Sequence, residues 1–432
     1  MTSENEVPAA IEALADVATD EDKLFRDGYV KGASKFIKEC ATPMTIAIQG
    51  NAGTGKTSLL NLIDMELLAE SESEEDDYSN KRVYCEDIIG VATIDVGQQS
   101  AANPDAKPFD ILFLGMLSKI TGYDPSTEET VSGLASVASQ VVSMVSCADE
   151  NAENAEKAED DSILGSILTA IFGSEDDAKP EQKDSFIRSE DIDAFRNTLV
   201  DTLQQSAEYN GKTKDSRFVV FIDGLDHISP EAVVDLLGQL KLYLECPRFV
   251  YVIAVDEKMV FDGVKKKLGD KVEDERKKLF YDTLIQVPLR IPTSAYNLDK
   301  FVEDLIGDEK ELSSEFVEVI RALLIAPTPR QIKRCVNTTH LYWNIFGGSS
   351  NTGDSSLAML FAAVILKDAG TQGFHVVASC ANGDESQFAE NLKAKLESSD
   401  FNDGINWTAI PTLWGGGESE DGDTAKRGAF LS

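Results

Sequence analysis

The sequence predicts an α/β fold with a mostly parallel sheet, and three features of the chain support that class. Short apolar runs rich in β-branched residues recur between stretches in which apolar residues follow helical spacing, as in strands joined by helices. Most of these runs are continuous rather than alternating, which is typical of strands buried on both faces. A glycine-rich turn follows the first run directly and opens a helix.

Five runs are predicted as strands because each is apolar and is bounded by turn residues or by a helical stretch. In chain order they are MTIAIQG, DIIGVATIDVG, RFVVFIDGLDHI, RFVYVIAVD and LIQVPLRIP. An amphipathic helix over 22–40 leads into the first strand. Further helices are predicted after the glycine turn, over FDILFLGMLSKI, and over SPEAVVDLLGQLKLYLE, where Ser229 is the N-cap and Pro230 lies in the first turn.

Composition and periodicity divide the chain into a core and its additions. The core is predicted over 21–295, with an insertion at about 123–185 where the composition changes to Ala, Ser, Asp and Glu. Helical spacing predicts an α-helical lid over 296–368, followed by a small C-terminal α/β region over 369–414. The acidic start, 1–20, and the tail, 415–432, are predicted to be disordered.

The insertion contains two apolar islands, at 131–147 and 162–172. The first island has five serines among its 17 residues, so it is not predicted to span a bilayer. We interpret the two islands as a helical hairpin that packs on the domain or on a neighbouring subunit. Contact with a membrane surface is the alternative.

The charge balance and the cysteines restrict the function classes. The chain has 76 acidic and 40 basic side chains and a formal net charge of −36, which opposes direct binding of nucleic acid, since phosphate contacts depend on clustered Lys and Arg. The acidic excess is interpreted as a solvated surface, with a site for a basic partner as the alternative. The six cysteines are far apart and form no Cys-x-x-Cys, so reduced thiols are predicted rather than a zinc ribbon or disulfides.

The chain carries no recognisable targeting signal. Its N-terminus, MTSENEVPAAIEALADV, lacks the basic start and the apolar run of a signal peptide, and no stretch reaches about 18 uncharged apolar residues. A cytoplasmic protein without a transmembrane span is therefore predicted.

The glycine turn matches the phosphate-binding pattern G-x-x-x-x-G-K-[ST] from Gly50 to Thr57. Its glycines allow backbone N–H groups to converge on phosphate oxygens, Lys56 reaches the β and γ phosphates, and the Thr57 hydroxyl ligates Mg²⁺ at a helix N-terminus. The predicted nucleotide-binding residues here are Gly50, Asn51, Ala52, Gly53, Thr54, Gly55, Lys56, Thr57 and Ser58. A second Gly-Lys-Thr, within 210–214, has Ser206 where the first glycine belongs and is predicted to be a hairpin or loop.

Acidic residues follow two later strands. Asp223 ends the run Phe-Val-Val-Phe-Ile in the manner of a Walker B acid and is predicted to hold Mg²⁺ and to take part in catalysis. Asp226 is a candidate for orienting the attacking water, with capping or turn formation as an equal alternative. Asp256 ends the next strand, where a polar sensor of the γ-phosphate or a plain turn residue fits. No N-K-x-D or T-K-x-D guanine signature is present, because TKDS at Thr213 has Ser where Asp is required, so ATP is favoured over GTP.

Four blocks occur in an order that resembles the KAP family of P-loop NTPases. They are IQGNAGTGKTSLL, the long block from VVFIDGLDHISPEAVV to YVIAVDEKMV, LIQVPLRIP, and TPRQIKRCVN, and the resemblance covers roughly Phe25 to Asp368. It implies an ASCE core of the RecA/AAA type with a helical lid and an insertion between the Walker motifs, which in many members contains membrane helices. Bacterial members are linked with phage exclusion, and animal members with scaffolding at membranes.

The chain departs from the family pattern at Walker B, where the family usually has Asp-Asp-Leu-Asp-Arg. Here Gly224 replaces the second carboxylate and His227 replaces the arginine. Thr283 stands where a Lys is common, and the Trp often found after the second strand is missing from TIDVGQQS. These departures indicate slow hydrolysis. Arg330 in TPRQIKR is a candidate to reach the γ-phosphate from the lid, with an ordinary surface helix charge as the alternative.

The sequence therefore predicts an ATPase in which Mg-ATP drives lid closure or assembly of a homo-oligomer and so signals to a protein partner of unknown identity, with antiviral defence as the setting. A poorly hydrolysing ATP-binding scaffold is the first alternative. A DNA-associated AAA+ ATPase is the second, and the net charge counts against it.

Overall fold

The computed structural model describes most of the chain outside the predicted insertion and the two ends. The longer described segments are 21–24, 26–68, 88–104, 106–121, 189–209, 217–269, 274–291, 296–307, 310–345 and 354–369, with short pieces at 374–377, 405–406 and 409–410. The predicted insertion at 123–185, the second Gly-Lys-Thr and the predicted tail lie outside the described residues, as does the start up to residue 20 apart from residue 15.

Two compact units make up the described structure. The sheet unit contains residues 27–52 and 56–291, and the helical unit contains the described residues up to 26, residues 53–55, and those from 292 onward. Residues 53–55 belong to the glycine loop, so this loop has its tip in the helical unit and its two ends in the sheet unit.

Within the described residues, the sheet unit has five strands, and every neighbouring pair is parallel. The strands are β1 (Met44–Gln49), β2 (Ile88–Asp95), β3 (Arg217–Asp223), β4 (Phe249–Val255) and β5 (Val287–Arg290). Their spatial order is β2-β3-β4-β1-β5, which places β4 between the strand before the glycine loop and the strand that ends in Asp223. The predicted parallel sheet is confirmed.

The central strands are buried on both faces, as the continuous apolar runs predict. All seven residues of β4 are buried, and in β1 and β3 only the first residue is not fully buried. The helices of this unit are α1 (Asp27–Glu39), α2 (Lys56–Glu66), α3 (Val96–Ala102), α4 (Pro108–Thr121), α5 (Ser189–Tyr209), α6 (Pro230–Gln239), α7 (Glu257–Leu268) and α8 (Asp274–Leu284). Ser229 caps α6 as predicted, since its hydroxyl accepts from Ala232 N–H at 3.2 Å.

Helices cover both faces of the sheet. One face contributes alternate residues of β4, such as Phe249 and Tyr251, to a large apolar cluster that includes side chains of α4 to α8. Val250 and Val252 alternate with those residues along β4 and are equally buried. On the helix side, α2 contacts β4 and α1 packs on α2. The sheet unit is therefore a three-layer sandwich that presents the carboxyl ends of parallel strands along one edge.

The helical unit is built around one apolar cluster. Its helices are α9 (Leu298–Ile306), α10 (Lys310–Leu323), α11 (Pro329–Ile345) and α12 (Asp354–Ala369). The rings of Phe316 and Phe361 stack at its centre with a centroid distance of 4.0 Å. Val377, Ile405 and Ile410 join the same cluster, so these described pieces of the predicted C-terminal region share the core of the helical unit. The domain boundary at 369 stays a prediction.

Two expectations concern single features of the chain. Cys40, Cys246 and Cys335 lie in the described part and are buried free thiols, in line with the prediction of reduced cysteines. Among the described residues, no helix is both long enough and apolar enough to cross a membrane.

The stacked rings of the helical unit give a stability prediction. Replacing Phe361 with Ala removes a fully buried ring and leaves a cavity, so we expect a loss of about 3–5 kcal/mol in the free energy of unfolding, measured by urea denaturation. Leu341→Ala is the control, because Leu341 is 59% exposed and its truncation should change stability by less than about 0.5 kcal/mol. Equal losses in the two variants would contradict the packing described for this unit.

Candidate nucleotide-binding site

The glycine loop connects β1 to α2 by a tight turn. β1 ends at Gln49 and α2 begins at Lys56. Gly53 and Gly55 have φ angles of +80° and +83°, which side chains disfavour, so glycine is required at both positions. The first N–H groups of α2 have no partner within the helix and carry its positive dipole end, so the turn and the helix start together form an anion site.

Lys56 and Thr57 lie at the beginning of α2. The Lys56 side chain is buried, and its Nζ donates to the carbonyl oxygens of Gly50 at 3.0 Å and Asn51 at 3.2 Å. The Thr57 residue is exposed, and its hydroxyl donates to the Asp223 carboxylate. The structure thus brings together the predicted lysine, hydroxyl and acid from β1–α2 and β3.

Asp223 is a buried carboxylate at the carboxyl end of β3. Burial raises the pKa of its carboxyl above the ordinary value, hydrogen bonds from Thr57 and from Gly224 N–H lower it, and the negative charges of Asp95 and Asp226 add to the rise. A cation beside Asp223 would offset both the desolvation and the repulsion. The electrostatics of the site therefore favour a bound cation.

Asp95 is a site residue that the sequence analysis missed. It ends β2, and the register of the parallel pair places it directly beside Asp223. Its Oδ1 accepts the Gln98 N–H at 2.7 Å, which caps α3. The sequence did contain one signal for Asp95, which is its position at the end of a predicted strand. In a parallel sheet, the carboxyl ends of all strands lie at the same edge as Asp223.

Gly224 explains how Asp95 comes so close. Gly224 has a φ of +74°, and a Cβ atom built on it would lie 2.1 Å from Asp95 Oδ1 and 2.8 Å from Gly97 N. Any residue with a side chain at this position would collide with Asp95. The glycine at 224 and the approach of Asp95 are therefore one structural feature.

The other two predicted acids have different surroundings. Asp226 lies in a short 3₁₀ turn, Leu225–His227, and its Oδ1 is 3.8 Å from His227 Nε2. Asp256 follows β4 and caps α7, where its Oδ1 accepts from Lys258 N–H at 3.0 Å. Helix capping agrees with the turn interpretation of Asp256, and its role as a phosphate sensor stays a prediction.

The carbonyls at the tip of the glycine loop are bound by groups of the helical unit. Gly53 O accepts from Arg330 N–H at 3.3 Å, and Thr54 O accepts from the Tyr296 hydroxyl at 2.7 Å. Gly55 O accepts from the Arg26 guanidinium at 3.0 Å. Sequence reasoning missed both Arg26 and Tyr296, because a side chain that binds a backbone carbonyl leaves no motif.

Arg26 is an unusual donor because its side chain is buried, with 4% of it exposed. Burial lowers the pKa of Arg26, and an ion pair with Asp22 at 3.5 Å opposes that shift. Asp22 and the Gly55 carbonyl thus supply the polar partners that a buried guanidinium requires.

Arg330, the predicted γ-phosphate contact, is the second residue of α11 and packs on the loop. A Cβ atom built on Gly53 would lie 2.6 Å from Arg330 Cβ and 3.2 Å from its Cδ. The residue itself is exposed. Its neighbour Arg334 pairs with Asp368 of α12 and so helps to hold those two helices together.

A parallel sheet, a glycine loop that opens a helix with Lys56 and Thr57, and a buried acid at the end of a nearby strand define a P-loop NTPase fold. Residues 26–345 match the family described as the KAP family P-loop domain. The match spans well over half of the chain, and the protein belongs to this family.

Other comparisons add little to this assignment. No curated protein matches the chain. The solved structures that are similar to it include the ORC2 protein of Aeropyrum pernix in ADPNP-ADP complexes, with 12% identity, 92% of this chain and 78% of that chain covered, and a TM-score of 0.37.

The contact between Gly53 and Arg330 gives a prediction for the loop. Gly53→Ala adds a methyl group in a left-handed conformation and against Arg330, so we expect a stability loss of about 1–3 kcal/mol and a lower melting temperature. Gly28→Ala is the matched control, because its added Cβ has no heavy atom within 4 Å and it lies within α1. Equal melting temperatures for the Gly53→Ala and Gly28→Ala variants would show that the loop tip has another conformation in solution.

Proposed function

We propose that this protein binds Mg-ATP at the glycine loop, hydrolyses it, and uses the nucleotide cycle as a switch or assembly signal. One observation carries the proposal. The Thr57 hydroxyl, at the start of α2, donates a hydrogen bond to the buried Asp223 carboxylate at the end of β3. ATP is favoured over GTP because the sequence has no guanine signature.

The residues around Asp223 fit Mg²⁺, which prefers oxygen ligands and retains phosphate oxygens and water in its shell. Thr57 and Asp223 would hold the ion, with the nucleotide and water completing the coordination. When bound, Mg²⁺ would neutralise phosphate charge.

Lys56 has a defined task in this scheme. Its ammonium binds the Gly50 and Asn51 carbonyls, and on nucleotide binding it would turn to the β and γ phosphate oxygens. Asp226, Asp256 and Arg330 are proposed to contact the attacking water or the γ-phosphate. The γ-phosphate is the group that differs between ATP and ADP, so contacts to it give the two nucleotides different effects.

The hydrogen bonds at the loop tip support a switch. The carbonyls of residues 53–55 are bound by Arg26, Tyr296 and the Arg330 backbone, so a nucleotide that reshapes the tip acts directly on groups of the helical unit. The free energy available to the switch is the difference in binding between ATP and ADP.

Binding is tested by calorimetric titration of the folded full chain with Mg-ATP. We expect wild type to bind, and Lys56→Ala to lose at least about tenfold in affinity, or about 1.4 kcal/mol. Lys31→Ala is the control, since Lys31 is an exposed partner of Asp27 on α1 and should leave the affinity unchanged. Absence of both heat and thermal protection in the wild type would refute the proposal.

Turnover separates the switch from the scaffold alternative. Phosphate release by the wild type that is no faster than by Lys56→Ala would leave a nucleotide-binding scaffold. DNA retention that weakens with salt would instead favour the DNA-associated alternative, which the net charge of −36 opposes.

Assembly is tested by mass measurement in solution. We expect the mass to rise to that of a homo-oligomer in Mg-ATP and to remain at the level without nucleotide for Lys56→Ala. A mass that is the same with and without nucleotide would contradict the assembly part of the proposal. The role in antiviral defence rests on the family resemblance alone, and phage plating on cells that express wild type or Lys56→Ala would test it.

A further inference from the structure

A second carboxylate, that of Asp95, lies beside Asp223 and belongs to no motif found in the sequence. Asp95 and Asp223 end adjacent parallel strands and are register partners. The negative charge of Asp95 raises the pKa of the Asp223 carboxyl. The two carboxylates therefore lie near each other at one edge of the sheet. Gly224 has no side chain, and the Asp95 carboxylate occupies the space that its Cβ would need.

The position of the Asp95 carboxylate is informative. Its Oδ1 lies 2.1 Å from the point where the Cβ of a residue at 224 would begin. The carboxylate of Asp95 therefore occupies the space in which the side chain of any residue at 224 would begin. The glycine at 224 therefore allows the carboxylate of the neighbouring strand to lie beside the end of β3.

We propose that Asp95 is the catalytic residue that accepts the proton of the attacking water, in place of the missing second acid of the Walker B motif. This inference rests on the proposed ATP hydrolysis. Asp95 is held for this task because its Oδ1 accepts the Gln98 N–H, while its second oxygen is an additional acceptor.

Asp226 is less suited to this role. Its carboxylate lies in the turn after β3 beside His227, and 36% of its side chain is exposed. Asp95 lies at the end of a sheet strand, and its orientation is fixed by a hydrogen bond. A fixed base at a strand end is better placed to hold one water in a constant position.

The proposed step is a hydrolysis in which all atoms are accounted for. The water oxygen forms a bond to the γ phosphorus, and the bond from that phosphorus to the bridging oxygen breaks, so that ADP leaves with the electron pair. One proton of the water passes to the Asp95 carboxylate and then to bulk water. The products are ADP, phosphate and one proton.

The experiment compares Asp95→Asn and Asp95→Ser with wild type in the full chain. Both replacements keep an oxygen that can cap α3, so both proteins should fold and melt like wild type. We expect turnover to fall about 100-fold or more, as for loss of a general base, while the Kd for Mg-ATP changes less than about threefold. Each variant should also be recovered with intact ATP still bound.

Asp235→Asn is the control for the change in charge. Asp235 lies on α6, is partly exposed and pairs with Lys267, so its replacement should change neither the turnover nor the Kd for Mg-ATP. Wild-type turnover in both Asp95 variants would overturn the inference. Equal loss of binding, melting temperature and turnover in both would also overturn it, since Asp95 would then be structural. A wild-type chain that binds no Mg-ATP would refute the proposed function itself and is recognised before any variant is made.

Discussion

The hydrogen bond between the Thr57 hydroxyl and the Asp223 carboxylate is the interaction on which the candidate site depends. It joins the start of α2 to the end of β3, although the strand before α2 is not the neighbour of β3. β4 lies between them, so β1 and β3 run about 9.5 Å apart across two strand spacings. The glycine loop spans this distance, because it connects the end of β1 to the start of α2, and Thr57 in the first turn of α2 bonds to Asp223. The strand order and the positive φ angles of Gly53 and Gly55 are therefore parts of one arrangement.

The carboxylates at the sheet edge raise the pKa of Asp223 and oppose its ionised form. Asp223 is buried and has Asp95 and Asp226 as neighbours, and both effects raise the pKa of its carboxyl. Hydrogen bonds from Thr57 and the Gly224 backbone only partly compensate. A protein with a net charge of −36 has little general attraction for a polyphosphate, so affinity has to come from local groups. Lys56 and the N–H groups at the helix start are the local groups that this chain offers, and the proposed Mg²⁺ would add to them.

The sequence was sufficient for the fold class and for the lysine, hydroxyl and acid that meet at the edge of the sheet. These features are local: an apolar run predicts a buried strand, and a glycine spacing predicts a loop that opens a helix. Asp95 was missed because its importance depends on which strand lies next to β3, and the sequence does not state the strand order. Arg26 and Tyr296 were missed for a related reason. They bind carbonyls at positions 55 and 54, which are far from them along the chain, and any residue has a carbonyl.

The loop tip has a consequence for how this protein could be shortened. A fragment that stopped at residue 291 would retain every described strand of the sheet together with Lys56, Thr57 and Asp223. It would nevertheless lack Tyr296 and Arg330, which bind the carbonyls of Thr54 and Gly53. Its motif would be complete, but the two hydrogen bonds that these residues donate to the loop tip would be missing. The residues of the motif and the residues that bind its backbone therefore come from different parts of the chain.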